Sequence, residues 1–152
     1  MKARLATVDD AAEVARLLHD FNTEFDTPSP GVAVLAPRLE ALLNADSTFA
    51  ILAGTPPVAV ALITLRPNVW YAGLVALLDE LYVEPSRRGH GIGTDIIELL
   101  VATCRDRGAD LIEINVDQAD VDAQRFYERH GFAGTDPDTG DRAFYYFCEL
   151  NG

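Results

Sequence analysis

The stretch Leu77-Leu78-Asp79-Glu80-Leu81-Tyr82-Val83-Glu84-Pro85-Ser86-Arg87-Arg88-Gly89-His90-Gly91-Ile92-Gly93 decides how the rest of the chain is read. It begins as an apolar strand, is stopped by Pro85, and passes through an arginine and alternating glycines into an amphipathic helix. Glycine lets backbone N–H groups approach a ligand without interference from a Cβ, and a helix start adds partial positive charge. The combination predicts an anion cradle, suited above all to a diphosphate. Two familiar phosphate motifs do not fit. The dinucleotide fingerprint GxGxxG, begun at Gly89, finds Thr94 at its last position. The triphosphate loop needs a lysine, and the only lysine of the chain is Lys2.

Hydrophobic periodicity extends outward from this stretch. Leu74 to Val83 reads as the strand and Gly91 to Arg107 as the helix, with Ile92, Ile96, Ile97, Leu100 and Cys104 on its apolar stripe. Upstream, Leu5 to Val8 predicts a short strand. Thr7-x-x-Asp10 then resembles a capping box opening a helix through Val14, Leu17, Leu18 and Phe21. A second helix is predicted over Pro37 to Asn44, with the proline in its first turn. Thr48–Ala53 and Val58–Leu65 form a predicted hairpin, and Trp70 and Tyr71 fall in the loop before the motif strand. Downstream, Leu111–Asp117 alternates as a strand and Asp120 to His130 reads as a helix. Asp138–Asp141 is a turn and Ala143–Leu150 a closing strand. The order β-α-α-β-β-β-α-β-α-β-β predicts a mixed α/β fold: a twisted mixed sheet of six to seven strands flanked by about four helices, in one domain spanning 1–152.

Composition bounds the function. Acidic residues outnumber basic ones 24 to 12, a net charge of −12, which disfavours nucleic acid as a partner and draws in cationic amines. The longest apolar run, Val58 to Leu65, is too short to span a membrane, and the N-terminus lacks a signal-like apolar region. These features predict a cytoplasmic protein. Cys104 and Cys148 read as small buried hydrophobes in a reducing compartment. Three scattered histidines and no HExxH predict no metal.

A second motif lies downstream: Asp120-x-x-Ala123-x-x-Phe126-Tyr127-Glu128-Arg129-His130-Gly131-Phe132. With Arg88-x-x-Gly91-x-Gly93 after Leu81-Tyr82-Val83, it resembles the GNAT superfamily of N-acetyltransferases. The loop of that superfamily reads Arg/Gln-x-x-Gly-x-Gly/Ala, and its later helix reads Asn-x-x-Ala-x-x-Phe-Tyr-Glu-x-x-Gly-Phe. The resemblance covers nearly the whole chain. It implies acetyl-CoA as co-substrate and direct acetyl transfer to a primary amine. Backbone N–H groups of Arg88, Gly89, His90, Gly91, Ile92, Gly93 and Thr94 would hold the diphosphate, with His90 facing solvent.

The resemblance also implies a motif strand that splays from its neighbour at a bulge, so that Leu81, Tyr82 and Val83 lie along the pantetheine arm. Tyr127 matches the general acid near the CoA sulfur, beside Phe126. Asp120 stands where the family has Asn, and a carboxylate cannot donate as an amide does. The general base is open between Asp79 and Glu80, which as strand neighbours are expected on opposite faces, with Glu113 and Asp117 as substitutes. Glu24, Asp26 and Glu40, with Phe21, Phe25 and Trp70, are expected on the substrate wall. The acceptor is a small cationic metabolite on this reading; a protein lysine or N-terminus and a non-catalytic acyl-CoA sensor or interaction module are the alternatives. A homodimer is among the assemblies it allows.

Overall fold

The hairpin and the motif strand build one sheet. In the computed structural model, which describes residues 2–151, β1 (Ala3–Leu5), β2 (Thr48–Ala53), β3 (Ala59–Pro67), β4 (Leu74–Val83) and β5 (Ala109–Ile114) lie side by side in chain order. The first three junctions are antiparallel and the β4–β5 junction is parallel. The parallel step requires a crossover, which α3 (Ile92–Asp106) supplies.

Alternation divides the apolar residues between two faces. Ala50, Leu52, Val60 and Tyr82 pack against Ala11, Val14, Ala15 and Leu17 of α1 (Ala11–Glu24) and Leu39 of α2 (Val32–Asn44). The stripe of α3 buries Ile92, Ile96, Ile97, Leu100 and Cys104. Side chains such as Ile96 and Leu100, fully out of water, each contribute roughly 1.5–3 kcal/mol.

Several elements differ from expectation. The first strand is Ala3–Leu5, and a 3-10 turn at Val8–Asp10 precedes α1. Asp10 closes this corner: its carboxylate accepts from the Thr7 N–H at 2.8 Å and from both terminal guanidinium nitrogens of Arg4. The Arg4 hydrogen bond, ahead of the Thr7 contacts, holds the Asp10 carboxyl down to about 2. Helix α2 starts at Val32, behind Gly31, so Pro37 lies inside it and forfeits one ladder bond. Leu111–Asp117 becomes Ala109–Ile114.

The sheet has five strands among the described residues, not six to seven. Ala143–Leu150 is no strand, and Phe144, Tyr145, Tyr146 and Phe147 are exposed. Strand propensity describes a surface that fits a sheet and needs a ladder partner to become one. Cys148 is exposed for the same reason; Cys104 alone is buried.

The chain divides into two compact units, one ending at Ile114 and one beginning at Asn115. The second carries α4 (Val121–Arg129), whose start is capped by Asp120: its Oδ1 accepts the Ala123 N–H at 3.0 Å. Its end is a Schellman motif. Gly131, at φ 89°, lets the Phe132 N–H reach the Tyr127 carbonyl at 3.0 Å and its own N–H reach that of Glu128 at 3.2 Å. Asp136 organises the following turn by accepting from the N–H groups of Asp138 and Thr139.

Candidate functional site

The glycine loop begins where β4 ends. Pro85–Arg87 forms one 3-10 turn, Arg88 is extended, and Gly89 and Gly91 follow at φ 79° and 82°. Side-chain-bearing residues rarely adopt those angles, so glycine is strongly favoured at both positions. A Cβ at either would meet no atom within 4 Å, so the space above the loop is open. The first ladder bond of α3 runs from the Asp95 N–H to the Gly91 carbonyl, which leaves the N–H groups of Ile92 and Gly93 ahead of the helix's own ladder. A cavity of about 480 Å³ lies here, lined by Ser86, Arg87, His90 and Ile92. His90 is exposed, with its Nδ1 3.3 Å from the Arg87 carbonyl.

The end of β4 presents the second component. Pairing with β5 stops at Leu78–Ile114, while β4 continues to Val83. The phase of the β3–β4 ladder follows from two bonds: Leu65 donates to Ser47 on the β2 side, and Glu84 donates to Val58. Antiparallel residues alternate the direction of their backbone groups, so Glu80 and Tyr82 turn theirs to Leu62 and Val60. Leu81 and Val83 turn theirs to the opposite edge, where β5 has ended. β4 thus runs on past the end of β5. The Tyr82 ring is buried and stacks on Phe21 at 5.1 Å, so at this position the strand faces the core.

A bulge resets the strand's faces. Leu62 lies opposite Glu80, yet Ile63 lies opposite Leu78, so Asp79 is an extra residue in β4. The Asp79 carboxylate accepts from the Thr64 hydroxyl, and Thr64 is two residues from Leu62 on the same face of β3. Asp79 and Glu80 therefore project to one face. The expectation of opposite faces fails because strict alternation holds only for an unbulged strand. Leu78 moves to the other face, away from Glu80.

Burial pushes the Glu80 carboxyl up, and the neighbouring Asp79 charge adds to it. Glu113 forms an ion pair with Arg66 at 3.2 Å. Asp117 belongs to the second unit, where its carbonyl accepts from the Gln124 amide.

The substrate-wall acids are redistributed. Glu24, the last residue of α1, grips Arg88 through two bonds of 2.9 and 2.8 Å, so its charge is already matched. The Arg88 Nε also donates to the Val83 carbonyl at 2.9 Å. Asp26, Glu40 and Phe25 are exposed, and so is Trp70. Sequence reasoning missed two roles, the Glu24 grip on Arg88 and the Thr64 hydroxyl at Asp79. No local pattern links residues 64 or 15 positions apart.

Within the second unit, Tyr127 is buried, with ring contacts to Phe126 at 5.2 Å and Phe132 at 5.6 Å. The Asp120 carboxylate is occupied as the helix cap. No group of metal-ligating side chains is found among the described residues.

Residues 12–132 match the family model described as the acetyltransferase (GNAT) family. The chain belongs to the GNAT acetyltransferase family. A "putative acetyltransferase" from Arthrobacter sp. FB24 has 51% identity and a TM-score of 0.92, over 99% of this chain and 96% of that one.

The Methanocaldococcus jannaschii protein called "Uncharacterized N-acetyltransferase MJ1207" is 38% identical over 58 residues, which span 38% of this chain and about a quarter (26%) of that relative. An aminoglycoside acetyltransferase from an uncultured soil metagenomic sample, crystallised with sisomicin, has a TM-score of 0.80 at 17% identity, covering 98% of this chain and 95% of its own. At that identity the likeness concerns the fold alone. As a GNAT member the chain carries an α/β architecture whose family co-substrate is acetyl-CoA, and no helix of the described residues is long and apolar enough to cross a membrane.

Proposed function

We propose that this GNAT protein is a cytoplasmic N-acetyltransferase, one domain over residues 1–152, that moves an acetyl group from acetyl-CoA directly to a primary amine of a small cationic metabolite. One observation carries the reading. Gly89 and Gly91 stand at positive φ with open space above them, between a strand end that has run past its β5 partner and the start of α3. That arrangement fits a diphosphate at the loop, held by N–H groups from Arg88 to Thr94, and an amide-bearing arm along Leu81 and Val83. The acidic charge of the chain supports a cationic acceptor.

Acetyl transfer requires a neutral amine, an electrophilic carbonyl and a protonated leaving thiolate. Glu80 suits the first need, because a carboxyl whose proton affinity is raised by burial is a better acceptor from an ammonium than an ordinary one. Asp79, beside it on the same face, keeps that affinity high and offers negative charge to the approaching cation. The Val83 N–H donates toward the thioester carbonyl. Tyr127 supplies the proton for the thiolate; this assignment rests on the motif in which it stands, with Phe126 beside it. Asp120, already a cap, contributes helix geometry in place of an amide contact.

The experiment is thiol release from acetyl-CoA against a panel of diamines, aminoglycosides, amino acids and lysine peptides. Turnover on a small amine supports the reading. Turnover on peptides alone moves the acceptor to protein. Tight acetyl-CoA binding with no turnover on any amine makes the chain an acyl-CoA sensor.

A further inference from the structure

The Arg88 side chain does not extend over the loop it introduces. Its Nε is bonded to the Val83 carbonyl, and its two terminal nitrogens meet the two oxygens of Glu24. Its guanidinium also lies 5.7 Å from the Tyr82 ring centroid, and that ring is stacked on Phe21 one turn before Glu24. Three elements thus converge on one side chain: the end of α1, the end of β4 and the first residue of the glycine loop. A bidentate guanidinium–carboxylate pair fixes orientation as well as distance. Beyond Arg88 come Gly89 and Gly91, the two positions with the widest backbone freedom, so the direction of the loop depends on what anchors its entrance.

We propose that Glu24 is a positioning residue for the loop. By gripping Arg88 it fixes where the backbone enters Gly89, and hence where the N–H groups of residues 89 to 93 point. The Arg88 side chain acts as a tether to α1 and the Val83 carbonyl, and the loop's anion affinity comes from its main chain. Loop and α1, the helix on the expected substrate side, are in this way set as one piece. The inference rests on the reading of the loop as a diphosphate cradle.

The test compares the parent chain with Glu24→Gln, Arg88→Met and the double variant. Each single change should weaken acetyl-CoA, by calorimetry and by KM, about fivefold, the scale expected for a well-oriented but partly exposed ion pair. The turnover number of Glu24→Gln at saturating acetyl-CoA should stay within about twofold of the parent, and the double variant should bind acetyl-CoA no more weakly than the singles. Hydrogen exchange of the amides of residues 89 to 93, measured without any ligand, should speed up in Glu24→Gln.

A purely structural role would lower thermal stability without this split between KM and turnover. If Arg88→Met weakens binding while Glu24→Gln does not, Arg88 acts on the phosphate directly and the proposal fails. Tighter binding in Glu24→Gln would overturn it as well, because Glu24 would then be withholding Arg88 from the ligand. A parent chain that binds no acetyl-CoA refutes the cradle reading. The exchange measurement then decides the tether separately, and unchanged exchange rejects it.

Discussion

Gly91 is where backbone geometry and ligand binding can be separated by mutation. It caps α3 at φ 82° and ψ 4°, in the left-handed region, and a Cβ there would touch nothing within 4 Å. Gly91→Ala therefore carries no clash in the free protein, and its cost is conformational, about 1–2 kcal/mol for a left-handed residue with a Cβ. For a chain of this size each kcal/mol lowers the melting temperature by roughly 2–4 °C, so a loss of about 2–8 °C is expected. Asn tolerates the left-handed region better than Ala, so Gly91→Asn should recover part of that loss.

Binding should not follow the same order. In both variants the added atoms occupy the open space above the loop, where the diphosphate is proposed to lie. Losing one charge-assisted N–H contact would weaken acetyl-CoA about tenfold or more. Gly91→Glu, which adds charge, should abolish binding. Thermal unfolding and calorimetry with acetyl-CoA on the parent and the three variants provide the assay. If Gly91→Asn binds acetyl-CoA as the parent does, the space above Gly91 is not the ligand site and the cradle reading fails.

Glu80 has its carboxyl pushed up by burial and then by Asp79, so its folded state holds a proton more tightly than its unfolded state. Stability from this group is complete below the ordinary carboxylate range and is lost as pH rises through the raised value. Glu80→Gln should therefore raise the melting temperature at neutral pH, leave it unchanged in acid, and remove the acidic limb of the pH–rate profile. Asp79→Asn should shift that limb to lower pH, and a limb that moves with neither variant takes the base role away from this pair. Tyr127→Phe keeps the ring contacts with Phe126 and Phe132 and deletes only the hydroxyl; turnover should fall while acetyl-CoA affinity holds. Equal turnover in parent and variant would remove Tyr127 from proton transfer.

Much of this was legible in the linear sequence. The motif strand was expected over Leu74 to Val83 and is found there; α3 and the Asp120-capped helix fall within a residue or two of their expected ends. These elements announce themselves through apolar spacing, glycine and capping side chains, all of which act over a few residues. The misses have longer-range causes. Helix α2 begins before Pro37 because packing of Leu39 and its neighbours sustains a helix around a proline. Ala143–Leu150 has strand composition without a strand, because composition does not supply a partner.

The sequence by itself determined the glycine loop, the family and the presence of two adjacent carboxylates on the motif strand, since local conformation and chemistry are written residue by residue. Tertiary structure decided what those groups face. The bulge opposite Leu62 and Ile63 sets Asp79 and Glu80 on one face, and the end of β5 at Ile114 leaves Leu81 and Val83 beyond the β4–β5 ladder. The end of α1 brings Glu24 to Arg88. Each of these depends on a register or a packing distance between segments far apart in the chain, and a ladder shifted by one residue reverses the face of every side chain in it.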